Sequence, residues 1–217
     1  DERRLHPRHQ KSSYRDPFRT EVDMNIIVSP YGKPTFYCRP DSTLIRALEE
    51  YYIPDQVERI AASPVMYIKT LRAGKAVAHR FAERYIDSFG FGILLHPTLK
   101  REVFADEAER PFIENSLDYT SIIPLLSFPE SELAFHTHKF ETSLNYKNPF
   151  GELCLPTYEE IMEKISTISR YCSLRIGDFI TIELTPGIEI SHQPGEEFPP
   201  RLIGKVDEKE IFNFVIK

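Results

Sequence analysis

Residues 176–190 run Ile176-Gly177-Asp178-Phe179-Ile180-Thr181-Ile182-Glu183-Leu184-Thr185-Pro186-Gly187-Ile188-Glu189-Ile190, and their order fixes how the chain is read. Gly177-Asp178 leads into Phe179 to Leu184, where every second side chain is apolar, as a strand with one buried face requires. Thr185-Pro186-Gly187 interrupts the alternation with a residue that has no N–H and one that has no Cβ. Ile188 and Ile190 resume it. The segment is two strands joined by a tight turn.

Working upstream, Pro156 precedes Thr157-Tyr158-Glu159-Glu160, the T-x-x-E form of a capping box, and Ile161, Ile165 and Ile168 fall on one helical stripe that ends near Ser173. Downstream, Arg201 to Val206 and Ile211 to Ile216 read as strands around Asp207-Glu208-Lys209. Nearer the start, Asn25 to Val28 and Thr35 to Cys38 flank the turn-forming Pro30 to Pro34, and Val65 to Thr70 and Ile93 to Leu95 are further strands. Between these, Lys75 to Asp87 carries Val77, Phe81 and Tyr85 at four-residue spacing and is expected to be helical. Arg101 to Pro111 reads as a weak helix or loop, and Thr120 to Leu126 and Glu132 to His136 as modest strands. The sum is an α+β, strand-rich chain with two or three helices.

A hydrophobic fraction of 41% with fifteen Phe, eleven Tyr and no Trp supplies a core and suits pleated surfaces. The formal net charge of -6 argues against nucleic acid or an anionic membrane surface as partner. No apolar run approaches the roughly 20 residues that span a bilayer. Cys38, Cys154 and Cys172 are an odd number without C-x-x-C spacing, so reduced thiols in a cytoplasmic protein are expected. Asp1 to Asp23 is polar, basic in balance and without apolar periodicity; it reads as a tail or upstream extension, with residues 24–217 as one domain.

Read one by one, the residues outline no active site. His79 and Glu83 lie one helical turn apart, which suits a solvated pair far better than a shared metal. His136-Thr137-His138 would place both rings on one strand face, but no third ligand is identifiable. Cys154, between Leu153 and Leu155, is expected to be a buried structural thiol. Neither a G-x-S-x-G elbow nor a glycine-rich phosphate loop occurs, and no helix start follows Gly90 and Gly92 to receive a phosphate.

Several segments, in order, resemble the fumarylacetoacetate hydrolase family, especially its shorter members that act on 2-oxo acids. Phe36-Tyr37-Cys38-Arg39-Pro40-Asp41-Ser42 is similar to the family's F-x-K-P-x-S. Ala73-Gly74-Lys75, the stretch ending at Tyr85 and Gly90-Phe91 are similar to its I-G-K, helix and G-Y. Asn115-Ser116-Leu117-Asp118 with Pro124 resembles K-S-F-D…P. Gly177-Asp178, Thr185-Pro186-Gly187, Gly195-Glu196 and Leu202-Ile203-Gly204 resemble the closing segments. The resemblance implies a fumarylacetoacetate hydrolase-like fold with mixed sheets.

It also implies a metal site that this chain lacks the carboxylates to build. Family enzymes hold Mg²⁺ or Mn²⁺ through an E-x-E pair and an aspartate after the G-Y, oxygen ligands that hard cations need. Counting from Gly74 and from Gly90-Phe91, those positions fall near Met66, Ile68 and His96. The family's N-Y-x-x-H run has no counterpart between Met24 and Pro34, its A-R-D is replaced by Leu99-Lys100-Arg101, and its catalytic lysine falls on Asn115. Only Thr185, Pro186 and Gly187, which contact the substrate carboxylate in relatives, remain. The expectation is a catalytically inactive binding or assembly protein without Mg or Mn, a homodimer or a partner of another protein, with a small carboxylate as a possible ligand. The alternative is a hydrolase, isomerase or decarboxylase of a 2-oxo or β-diketo acid working by altered chemistry, built from Thr185, His96 or the histidines at 136 and 138.

Overall fold

The computed structural model describes residues 24–135, 137–190 and 198–217. The 1–23 stretch, His136 and Gly195-Glu196 lie outside the described residues. The chain opens with β1 (Ile26–Ser29) and β2 (Tyr37–Arg39), an antiparallel pair across the Pro30–Pro34 turn. Two short strands follow, β3 (Leu44–Ile45) and β4 (Glu50–Tyr51), then a long antiparallel pair, β5 (Val57–Thr70) and β6 (Ile86–Leu99). Helix α1 (Arg110–Glu114), β7 (Ser121–Ile122), β8 (Phe128–Pro129) and β9 (Phe140–Leu144) lead to helix α2 (Tyr158–Tyr171). The chain closes with β10 (Phe179–Glu183), β11 (Ile188–Glu189), β12 (Arg201–Val206) and β13 (Lys209–Ile216).

A nine-stranded sheet takes the order β2-β1-β10-β5-β6-β7-β3, with β11 beside β5 and β8 beside β6. Its β1–β10 and β3–β7 pairs are parallel and the others antiparallel, so the sheet is mixed. A four-stranded sheet runs β4-β13-β12-β9. The large sheet is apolar on both faces, and it curls. Arg39, on its β2 edge, donates to the carbonyls of Thr120 and Leu95 near the opposite end. The inner face buries Ile26, Val28, Val65, Tyr67, Leu94 and Phe179. The outer face packs Ile27, Met66, Ile68, Phe91 and Ile180 into one core with α2 and the second sheet.

Pro64 shows how the long strand tolerates a residue without an N–H. Along β5 the neighbouring strand is β10 up to Val65 and β11 from Ala62, and Pro64 falls at the gap between them. The chain crosses that gap in the Thr185–Gly187 turn, and Leu184 N donates to the Pro64 carbonyl at 2.9 Å. On β6, glycines allow close approach. A Cβ at Gly90 would lie 2.4 Å from the Tyr67 hydroxyl, and one at Gly92 would lie 2.4 Å from the Ile122 carbonyl.

Helix α2 has the expected capping box, with Thr157 Oγ1 accepting from Glu160 N and Glu160 accepting from Thr157 N. Its Ile161, Ile165 and Ile168 are buried. The expected helix over 75–87 is instead a 3-10 helix, His79–Tyr85. Three residues per turn align 79, 82 and 85 rather than a four-residue stripe. Ala82 is therefore buried and Phe81 is 37% exposed. The strand expected at Glu132–His136 is a 3-10 helix over Glu130–Phe135 where described. Cys154 is exposed rather than buried, because Leu153 and Leu155 turn toward the core in an extended segment and leave the residue between them outside.

These contacts set a contrast in stability. Ile165→Ala should cost about 2–5 kcal/mol through a cavity in the core. Thr157→Ala should cost only about 1 kcal/mol through loss of the exposed cap. Urea unfolding of the two variants beside the parent chain checks the order.

Candidate functional site

Alternation along the long strands decides what can meet. Met66 and Ile68 lie on the outer face in the main core, with relative exposures of 1% and 0%. His96 shares the inner face with Leu94, and its partner across the ladder is Ala61. The structure therefore does not bring Met66, Ile68 and His96 together. The β5 side chains beside His96 are Ala61 and Ser63, and Gly187 sits directly over them. A Cβ there would lie 3.3 Å from Ser63 Oγ, 3.4 Å from Ala61 Cβ and 3.9 Å from the His96 ring. Thr185 is buried, while Pro186 and Gly187 are exposed at the rim.

At this end of the inner face lies Arg39, 1% exposed. Its Nη1 donates to the Thr120 carbonyl at 3.0 Å and to Thr120 Oγ1 at 3.3 Å. Its Nη2 donates to the Leu95 carbonyl at 3.0 Å and meets His96 Nδ1 at 3.1 Å. A guanidinium has no acceptor, so His96 Nδ1 must accept and the ring proton must sit on Nε2. Nε2 faces Glu183 Oε1 at 3.1 Å, within ion-pair range but off the line of a hydrogen bond. Glu183 Oε2 accepts from Tyr31 N at 2.9 Å. The result is an ordered series, guanidinium to neutral imidazole to carboxylate. Burial pushes the Tyr37 hydroxyl above its usual range, against the pull of Arg39.

This donor set does not fit a hard divalent cation. Ala61 has no ligand atom, His96 Nδ1 already accepts from a cation, and the buried guanidinium beside it repels a second positive charge. Among the described residues, no group of three or more His, Cys, Asp or Glu side chains gathers into a metal-sized cluster. Ser63 Oγ, Arg39 Nε and His96 Nε2 are buried without hydrogen-bond partners among the described residues, and Gly187 packs over Ser63 and the His96 ring. The turn packs onto β5, and Arg39 is buried beside the His96 ring.

The other candidates make defined contacts of their own. His79 pairs with Glu159 on α2 at 3.3 Å, not with Glu83. His138 lies between Asp207, 2.6 Å from Nδ1, and Glu132, 2.8 Å from Nε2, and stacks on Phe128. Both ring nitrogens are occupied, and His136 lies outside the described residues. A cavity of about 480 Å³ beside His138 is lined by Thr142, Asn148 and Leu155. Asn115 ends α1, and Arg101 pairs with Glu107 at 2.9 Å. Arg39 and Glu183 carry the site without having been singled out as site residues. The signal for Glu183 was a carboxylate on the same strand face as Phe179 and Thr181.

Burial pulls His138 down, but hydrogen bonds to Asp207 and Glu132 outweigh it and hold the imidazole above its ordinary value. The bond to His138 is the main cause that holds Asp207 below the usual carboxylate range. The histidine's contribution is complete below its unfolded value of about 6.5 and is lost as pH rises through the raised folded value. The aspartate's is complete above about 3.9 and is lost as pH falls through its lowered one. His138→Ala should therefore lower the urea midpoint clearly near pH 5.5 and much less at pH 9.

No protein-family model matches the chain, and no curated protein matches it by sequence. Solved structures do match in fold. A Yersinia pestis CO92 protein assigned to the fumarylacetoacetate hydrolase family has 22% identity and a TM-score of 0.63, over 90% of this chain and 93% of its own. The fumarylpyruvate hydrolase of Pseudomonas aeruginosa, solved with Mn²⁺ and pyruvate, has 16% identity and a TM-score of 0.62, over 90% and 89%. The maleylpyruvate hydrolase of Sphingobium sp. SYK-6 has 15% identity and a TM-score of 0.63, over 90% and 71%. Over 90% of its length, then, this chain has the fold of the fumarylacetoacetate hydrolase family.

Proposed function

We propose that this chain is a degenerate member of the fumarylacetoacetate hydrolase family, serving in binding or assembly without the family's metal-dependent chemistry. One observation carries the reading: Arg39 is buried and donates to His96, the residue at the family's aspartate position, while Ala61 and Ser63 are the β5 side chains facing that ring. A divalent ion supplies relatives with the charge that polarises a carbonyl or enolate. Here the positive charge is a guanidinium fixed by backbone carbonyls. It cannot offer an open coordination position, and the Thr185–Gly187 turn is closed over the neighbouring donors. A small carboxylate remains the ligand class that a buried cation favours, reached if the turn opens.

Assembly as a homodimer in the cytoplasm completes the proposal. Support comes from Phe112, Ile113, Tyr119 and Leu125, which are exposed on α1 and in the segments that follow it. No helix of the described residues is long and apolar enough to cross a membrane. A second reading rests on the His96–Glu183 contact, since an imidazole beside a carboxylate can move protons without a metal.

Titration calorimetry with Mg²⁺ and Mn²⁺, each with and without oxalate or pyruvate, tests the proposal. The expected result is no metal binding in any combination and no turnover of an acylpyruvate. Tight metal binding assisted by oxalate overturns it. Turnover in the presence of a chelator, abolished by His96→Gln, would instead establish the second reading.

A further inference from the structure

The edge strand β2 runs past the C-terminal end of α2. Phe36, just before β2, packs against Tyr171 with ring centroids 5.9 Å apart. Two residues further along the same side of the chain, Cys38 comes beside Cys172, the residue that follows Tyr171 and caps α2, near enough for each thiol to act electrostatically on the other. Cys172 Sγ also lies 3.6 Å from the Ile168 carbonyl, which fixes it at the helix end. Cys38 is exposed, so a reagent reaches this pair from solvent.

We propose that Cys38 and Cys172 form a reversible disulfide by exchange with a low-molecular-weight disulfide such as oxidised glutathione. The Cys38 thiolate attacks the reagent's S–S bond, releases one small thiol and becomes a mixed disulfide. The Cys172 thiolate then attacks the Cys38 sulfur, closes the protein S–S bond and expels the second small thiol. The two protein thiols lose two electrons and two protons, and the reagent takes up both.

Burial chiefly raises both thiols above their ordinary range, with Lys75 pulling Cys172 the other way. The pair therefore rests as thiols at neutral pH and exchanges faster as pH rises. The consequence falls on Arg39 and Tyr37, which flank Cys38. Strand β2 is three residues long and, among the described residues, has only β1 beside it in the sheet. Bonding it to α2 holds the guanidinium's strand in place, with or without a metal nearby.

Peptide mapping and intact mass of the full folded chain, held in oxidised glutathione at pH 8, test the proposal. The expected product links the Cys38 and Cys172 peptides, two hydrogens lighter, while exposed Cys154 takes a glutathione adduct. The melting temperature should rise by roughly 5–10 °C and return on reduction. In Cys172→Ser the reaction should stop at glutathione on Cys38. A parent chain that also stops there while folded, or that links Cys154 instead, overturns the proposal.

Discussion

A guanidinium removed from water must be met by acceptors wherever the fold puts it, and Arg39 puts this demand at the seam of the curled sheet. Its strand is one edge of the nine-stranded sheet, and the carbonyls of Thr120 and Leu95 belong near the other end. The hydrogen bonds that neutralise the cost of burial therefore also close the sheet on itself. Removing one partner of a buried charge typically costs about 3–5 kcal/mol. Here the loss would also release β2, so the seam and the charge stand or fall together.

The same residue governs the chemistry. By donating to His96 Nδ1, Arg39 fixes the ring's tautomer and turns Nε2 toward Glu183. A ring whose Nδ1 already accepts from a guanidinium is a poor ligand for a hard cation, and the positive charge beside it repels one. Ala61 and Ser63 let the Thr185–Gly187 turn settle onto the strand, where larger acidic side chains would have held it off. Small side chains on β5 and the close seating of the turn are thus two aspects of one packing arrangement.

The elements with strong local patterns were legible in the sequence. The capping box at Thr157, the isoleucine stripe of α2 and the alternation from Phe179 to Ile190 all name their own structure. So did the β12–β13 hairpin, whose Asp207 and Glu208 take positive φ angles. The full length of β5 was not legible, because Ala61-Ala62-Ser63-Pro64 has weak strand propensity and is held by neighbours on both sides. Strand face was harder still. Counting residues from Gly74 leads to Met66 and Ile68, and only the ladder shows that they face away from His96. Arg39 was visible as a basic residue at a family lysine, but its burial is a tertiary fact that no local pattern encodes.

Guanidinium, imidazole and carboxylate stand in a fixed order at the seam, and nitrogen NMR of the His96 ring reads that order. The expected spectrum has the ring proton on Nε2, an unprotonated Nδ1 shifted by an accepted hydrogen bond, and no change or broadening when Mn²⁺ is added. A ring protonated on Nδ1, or signals that Mn²⁺ broadens selectively, would contradict it and return the site to metal chemistry.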